Sequence, residues 1–327
     1  MISSPSPWIP TLTLLLLSLP IIFFFTSHIL PPPPPPILSL PDELDDLTLF
    51  RRAAAVDSHP THKPISRLGS TNRKPKIAFL FLTNTPLHFA PLWERFFNPN
   101  NSVQIKNLYN VYVHSDPTVK PYVKPPGGVF SQDRFIPAKQ TFRGTATLIA
   151  AARRLIAAAI IDDPDNMFFT LVSQHCIPLH SFQFVYTARG NNVMTPEVKF
   201  ENFRVGSQFF TLTRRHGLMV VKERRLWKKF RLPCLRPQSC YPEEHYFPTL
   251  LSNVDPDGCA GYTLTRVNWT DSVNGHPHTY YPSELSPELI FNLRRSSFAL
   301  PYMFARKFSP DCLKPLMEMA DEVIFRD

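Results

Sequence analysis

Three short apolar runs fix what this chain can fold into: KIAFLFLT (76–83), YNVYVHSDP (109–117) and MFFTLVS (167–173). Each is rich in β-branched and aromatic residues, and each is too continuously apolar to be a strand with one wet face. Between them lie segments of helical character. Pro86 to Phe97 puts Leu92, Phe96 and Phe97 on one side, and the alanine-rich stretch 144–161 carries Leu148, Leu155 and Ile156 at helical spacing. Strand, helix, strand, helix, strand predicts an α/β fold, a mostly parallel sheet flanked by helices. Ligands of such sheets sit at the carboxyl ends of the strands, which here are Thr83 and Asn84, His114 to Asp116, and Ser173 to Cys176. No glycine-rich loop follows the first strand, which argues against a dinucleotide or P-loop site.

The chain ahead of residue 75 has a different character. From Trp8 to Leu30 it is apolar without a single charge, long enough for a helix to cross a bilayer. No small-x-small cleavage site stands before the prolines that follow, so residues 8–30 read as an uncleaved transmembrane anchor and residues 1–7 as a short tail. No Lys or Arg precedes the span, so the charge rule leaves its orientation open. Pro31 to Pro36 open a stretch with little periodicity that reaches residue 74, read as a stiff stem carrying a head of residues 75–327.

The formal net charge is +9. Its densest expression is KERRLWKKFR (222–231), where nucleic-acid binding would have to reside. On a helix that run turns Leu226, Trp227 and Phe230 inward and leaves the cations as a solvated face, so no nucleic-acid partner is expected. Five cysteines are too few for a disulfide scaffold, but Cys234 and Cys240 enclose a short loop that a bridge would brace. No cysteine spacing fits zinc. Asp163-Pro164-Asp165 and Asp255-Pro256-Asp257 imitate a metal-binding pair of aspartates and read better as loop chemistry. Asn100 and Asn268 head glycosylation sequons.

Directly after the Cys234–Cys240 loop comes CYPEEHYFPTLL (240–251). A carboxylate among Tyr241, Pro242, Tyr246 and Phe247 is partly desolvated and therefore more basic, which makes Glu244 the candidate general base. Pro242, Glu243 and Glu244 fit the first turn of a helix equally well. Near the C-terminus, Arg306 and Lys307 end an aromatic, strand-like run; two adjacent cations there either bind a diphosphate or are surface charges. Trp269 offers a flat face of the kind sugars stack on, with His276 and His278 close in sequence.

Taken together, KIAFLFLT, YNVYVHSDP, LVSQHCIPLHSF, FRVGSQFF, CYPEEHYFPTLL, VNWT with GHPHTY, and FARKFSPDCL resemble the plant branch of the core-2/I-branching glycosyltransferases, glycosyltransferase family 14, from about Lys76 to Asp327. The resemblance implies a single-pass type II membrane protein of the Golgi, with a luminal head of the GT-A type, a Rossmann-like sheet. It implies inverting transfer from a UDP-sugar to a glycan or glycoprotein hydroxyl, without metal or other cofactor. Glu244 matches the base and Lys307 the lysine that holds the leaving diphosphate. Arg306, Asp116 and His278 fall on the donor side, Trp269 and Glu243 on the acceptor side. Three departures stand out. His278 falls where animal members place an arginine, Arg143 stands where plant members often carry Trp, and the stretch from Phe184-Val185-Tyr186 to Met194-Thr195-Pro196-Glu197 is short. The shortening keeps a second reading open: a catalytically impaired luminal head serving as scaffold or regulator.

Overall fold

The sheet is built as the apolar runs require. β1 (Lys76–Thr83), β2 (Tyr109–Ser115) and β3 (Asn166–Ser173) form its centre; β4 (Ile177–Pro178), β5 (Met194–Pro196), β6 (Thr211–Thr213), β7 (Asp255–Asp257), β8 (Thr265–Val267) and β9 (Phe304–Arg306) are short. The main sheet runs β2-β1-β3-β6, parallel across its first three strands. β6 is antiparallel to β3, an edge too short to register in the sequence pattern. The structure, a computed structural model, describes residues 43–56, 74–99, 103–118, 126–187, 194–196, 206–232, 240–273 and 275–327. The apolar stretch 8–30, the prolines, Cys234 and Asn100 lie outside these. Among the described residues no helix is long and apolar enough to cross a membrane.

The helices are α1 (Glu43–Val56), α2 (Ala90–Phe97), α3 (Ala146–Asp162), α4 (Arg214–Lys222), α5 (Arg225–Phe230), α6 (Pro242–Val254), α7 (Pro287–Arg294) and α8 (Leu313–Glu318). β1 sorts them by its pleat. Ile77, Phe79 and Phe81 belong to one core with Leu92, Trp93, Phe96 and Phe97 of α2. Ala78, Leu80 and Leu82 belong to the other, with α3 and α6. Successive side chains point to opposite faces, so a strand buried on both faces must be apolar throughout. Phe79 packs edge-on against Trp93, Phe96, Phe97 and Phe304, which ties β9 to the main core. On the other face the buried Ala151, Ala152, Ala157 and Ala159 let α3 lie close to the sheet.

Three local readings need correction. α2 starts at Ala90, not Pro86; Pro86 to His88 form a turn ahead of it. The basic run 222–231 is two helices, because the Glu223 carboxylate accepts from the backbone N–H groups of Leu226 (2.7 Å) and Trp227 (2.9 Å) and starts a new helix there. Leu226, Trp227 and Phe230 pack against the core as expected.

Part of the stretch read as an extended stem is also folded. α1 buries Phe50 and Ala53, and its Asp46 pairs with Arg154 and, at 3.1 Å, with Lys139. Arg153 beside it lies under Phe50 (4.6 Å), Trp227 (4.9 Å) and Tyr246 (5.9 Å), and donates to the Glu223 carbonyl at 2.7 Å. Two buried arginines on α3 need α1 for charge and cover. A chain beginning at residue 65 should therefore be less stable than one beginning at residue 42, by about 3–5 kcal/mol for the broken buried pair. Urea unfolding compares the two; equal midpoints would show that α1 contributes nothing.

Candidate functional site

The end of β2 sets the site's geometry. Asp116 follows the strand, its backbone N–H donating to the Thr83 carbonyl at 2.9 Å. Its carboxylate accepts from the backbone and hydroxyl of Thr118 (2.9 and 2.6 Å) and of Thr141 (both 2.7 Å). Burial pushes its pKa up, but those four donors outweigh it and hold the group below the usual range. His114 accepts from the Lys139 backbone at 3.2 Å and, mainly through burial, has its pKa pushed down to about 4. These bonds stitch residues 139–141 to the sheet. The chain then delivers Arg143 and Gly144 just before Thr145, the N-cap of α3.

Across from that loop, α6 begins with Pro242 in its first turn, followed by Glu243 and Glu244. Both sequence readings of this motif hold locally: it is a helix start, and it places carboxylates in a partly dry site. Glu243 is buried, and its Oε1 accepts from the Gly144 backbone at 3.0 Å while its Oε2 has no partner. Gly144 sits at φ +69°, where an added Cβ would be 3.0 Å from the Cys240 carbonyl, so the close approach of loop and helix needs glycine. Glu244 is half-buried. Desolvation raises its pKa, and His245, Arg143 and Arg306 pull it partway back. Cys240, just ahead, is held in a disulfide; its expected partner Cys234 lies outside the described residues.

The cations come from β9 and from the Arg143 loop. Arg306 stacks over Phe209 at 4.3 Å, with its Nε buried and unpartnered. Lys307 is half-buried, and its pKa is lowered first by burial and then by Arg306 and Arg143. Its carbonyl accepts from the Tyr280 backbone at 2.8 Å. His175, after β3, bonds the Phe308 carbonyl through Nδ1 at 3.3 Å; burial and then Lys307 push its pKa down to about 4. Arg143 donates to the Gly275 carbonyl at 2.5 Å and to Nε2 of His276 at 2.6 Å, over the Tyr241 ring at 5.5 Å. Among the described residues none of Arg143, Arg306 and Lys307 makes an ion pair.

The sequence-predicted residues therefore separate. Glu244, Arg306 and Lys307 share one electrostatic neighbourhood. Trp269 is 52% exposed, on the loop that continues to Gly275. Asn268, beside it, folds into a local turn, its Oδ1 accepting from Thr270 at 2.9 Å. His278 is engaged by Glu284 at 2.7 Å, and the cations acting on Lys307 are Arg306 and Arg143 instead. Asp116 has its oxygens filled by Thr118 and Thr141, which makes it a holder of the loop. Asp163 binds Lys76 and Asn110, and Asp255 binds Arg215 and His216, so both aspartate pairs serve the fold; the second lies in β7 rather than in a turn. Among the described residues no group of three or more His, Cys, Asp or Glu is placed to hold a metal. Sequence reasoning missed the roles of Arg143, Gly144 and His175. Gly144 and His175 gave no signal beyond nearness to a helix start or a strand end, and Arg143 stood out only as a departure from the family pattern.

The Core-2/I-Branching enzyme model matches residues 77–192 and 186–294, well over half of the chain. The chain belongs to that family. A curated relative is glycosyltransferase BC10 of Oryza sativa subsp. japonica, 27% identical over 266 residues, which are 67% of this chain and 65% of the relative. The chain thus spans about 65% of that relative's length. The two matched stretches of the family model meet at residues 186–192, within the segment that the sequence comparison read as short.

Glu243 makes the site's electrostatics measurable. Burial raises its pKa above the ordinary 4.5, so the folded chain holds that proton more tightly than the unfolded one. The stability this confers is full below the ordinary value and is lost as pH rises through the folded pKa. Glu243→Gln, which mimics the protonated acid, should gain stability relative to the parent progressively above that value. Urea midpoints measured against pH for the two chains test this; parallel curves would contradict it.

Proposed function

We propose that this chain is an inverting glycosyltransferase that moves a sugar from a UDP-sugar to a hydroxyl of a glycan or glycoprotein. The observation that carries the proposal is that Glu244, a carboxylate made more basic by burial, meets Arg306, which in turn acts on Lys307, and that no carboxylate among the described residues pairs with either cation. In the proposed step the acceptor oxygen attacks the anomeric carbon and Glu244 takes its proton. The bond to the diphosphate breaks, and UDP leaves with the electron pair. Arg306 and Lys307 stabilise the charge that grows on the leaving oxygen, work that a metal ion does in other transferases. Asp116 holds the loop that shapes the donor side. Trp269 offers the acceptor a stacking face, and Glu243 positions Gly144. Family membership supports this reading, as does the match to a plant glycosyltransferase.

The GT-A assignment, Golgi residence and type II anchoring through residues 8–30 are part of the same proposal. A second reading, a scaffold that keeps the fold without turnover, draws on the break in the family match at residues 186–192.

Glu244→Gln should abolish transfer while leaving UDP affinity nearly unchanged; transfer surviving that change would falsify the base assignment. Lys307→Ala should weaken UDP binding by about 1–3 kcal/mol, the loss expected for a hydrogen bond to a charged group. Because the base works deprotonated, kcat/KM should rise with pH through Glu244's raised pKa. UDP binding without turnover on any UDP-sugar would favour the scaffold.

A further inference from the structure

Of the site's three cations, Arg143 is the one to which the proposed step assigns no anion. A diphosphate brings two negative charges at least, and Arg306 and Lys307 match them. Glu244 loses its own charge when it takes the acceptor's proton. The acidic neighbour that then remains to Arg143 is Glu243, which is engaged with the Gly144 backbone and forms no ion pair with the guanidinium. The recorded bonds of Arg143 go to neutral acceptors, the Gly275 carbonyl and the Nε2 lone pair of a neutral His276, which fix the guanidinium but spend only two of its five N–H groups. Gly275 keeps this fit open, since a Cβ there would lie 2.7 Å from the Tyr241 hydroxyl and 3.4 Å from the guanidinium. The loop carrying Arg143 is itself held in place, by Glu243 at Gly144 and by Asp116 at Thr141. Two exposed aromatic residues belong to the same two loops: Phe142, adjacent in sequence to Arg143, and Trp269, on the loop that Arg143 pins; each is 52% exposed.

We infer that Arg143 is a specificity-determining residue, one that binds a carboxylate on the acceptor sugar, so that the acceptor is an acidic glycan. The inference rests on the transferase reading above. A fixed, planar guanidinium beside aromatic surface suits a carboxylated sugar, whose ring stacks while its carboxylate takes the free N–H groups side-on. A neutral acceptor would leave those N–H groups to water, since Arg143 is exposed.

The test uses the full-length chain, with methyl β-D-glucuronide and methyl β-D-glucoside as probes. Binding is followed by NMR saturation transfer and calorimetry, with and without UDP. The parent should bind the glucuronide about fivefold tighter, the range for a partly exposed ion pair. Arg143→Gln should remove that preference, and Arg143→Lys should retain part of it. Lys307→Ala should keep the preference while losing UDP affinity. The inference is overturned if the parent does not discriminate, or if discrimination survives Arg143→Gln. It is also overturned if Arg143→Gln loses UDP as Lys307→Ala does, because the guanidinium then serves the diphosphate. A preference seen only between UDP-glucuronate and UDP-glucose would move the carboxylate to the donor and overturn it as well. A parent chain that fails to bind UDP refutes the transferase reading instead, so the two failures are read separately.

Discussion

The carboxylate of Asp116 takes four hydrogen bonds from Thr118 and Thr141, and the geometry of the site follows from them. A parallel sheet ends its strands at one edge, but the loops beyond that edge have no ladder to hold them. Asp116 and His114 supply the missing anchors at β2, and the next residues carry Arg143 and Gly144 to the start of α6. Glu243 then clamps Gly144 from the other side. Loop and helix converge because backbone N–H groups that would otherwise be unsatisfied find carboxylates at fixed positions.

That convergence concentrates charge. Arg143 and Arg306 act on Glu244 and on Lys307, and burial on that side raises the carboxylate and lowers Arg306 and Lys307. The arrangement is costly for a resting protein, since like charges gather with one half-buried carboxylate among them. In the proposed function a bound diphosphate makes it favourable. The same physics underlies the rest of the fold: Arg153 and Arg154 are both buried, but α1 gives one an aromatic ring, Phe50, and the other an aspartate, so they serve stability.

The sheet was legible because β1, β2 and β3 are buried on both faces and leave no room for ambiguous periodicity. The short β6 and the folded α1 were not, since three residues carry no period and α1 is held by tertiary contacts of Asp46 and Phe50. Within the site, Glu244, Arg306 and Lys307 could be read because adjacent charges in an aromatic run stand out. Arg143 could not, because its meaning depends on Gly275 and His276, far away in the chain. The hydrogen bond of His278 to Glu284 was equally invisible, because nothing in the residues around either one points to the other.

The most direct test of the central claim is calorimetry of UDP with the full-length chain, once in EDTA and once with a divalent metal. The account predicts the same affinity in both, because Arg306 and Lys307 supply the positive charge. Binding that appears only with the metal would contradict it.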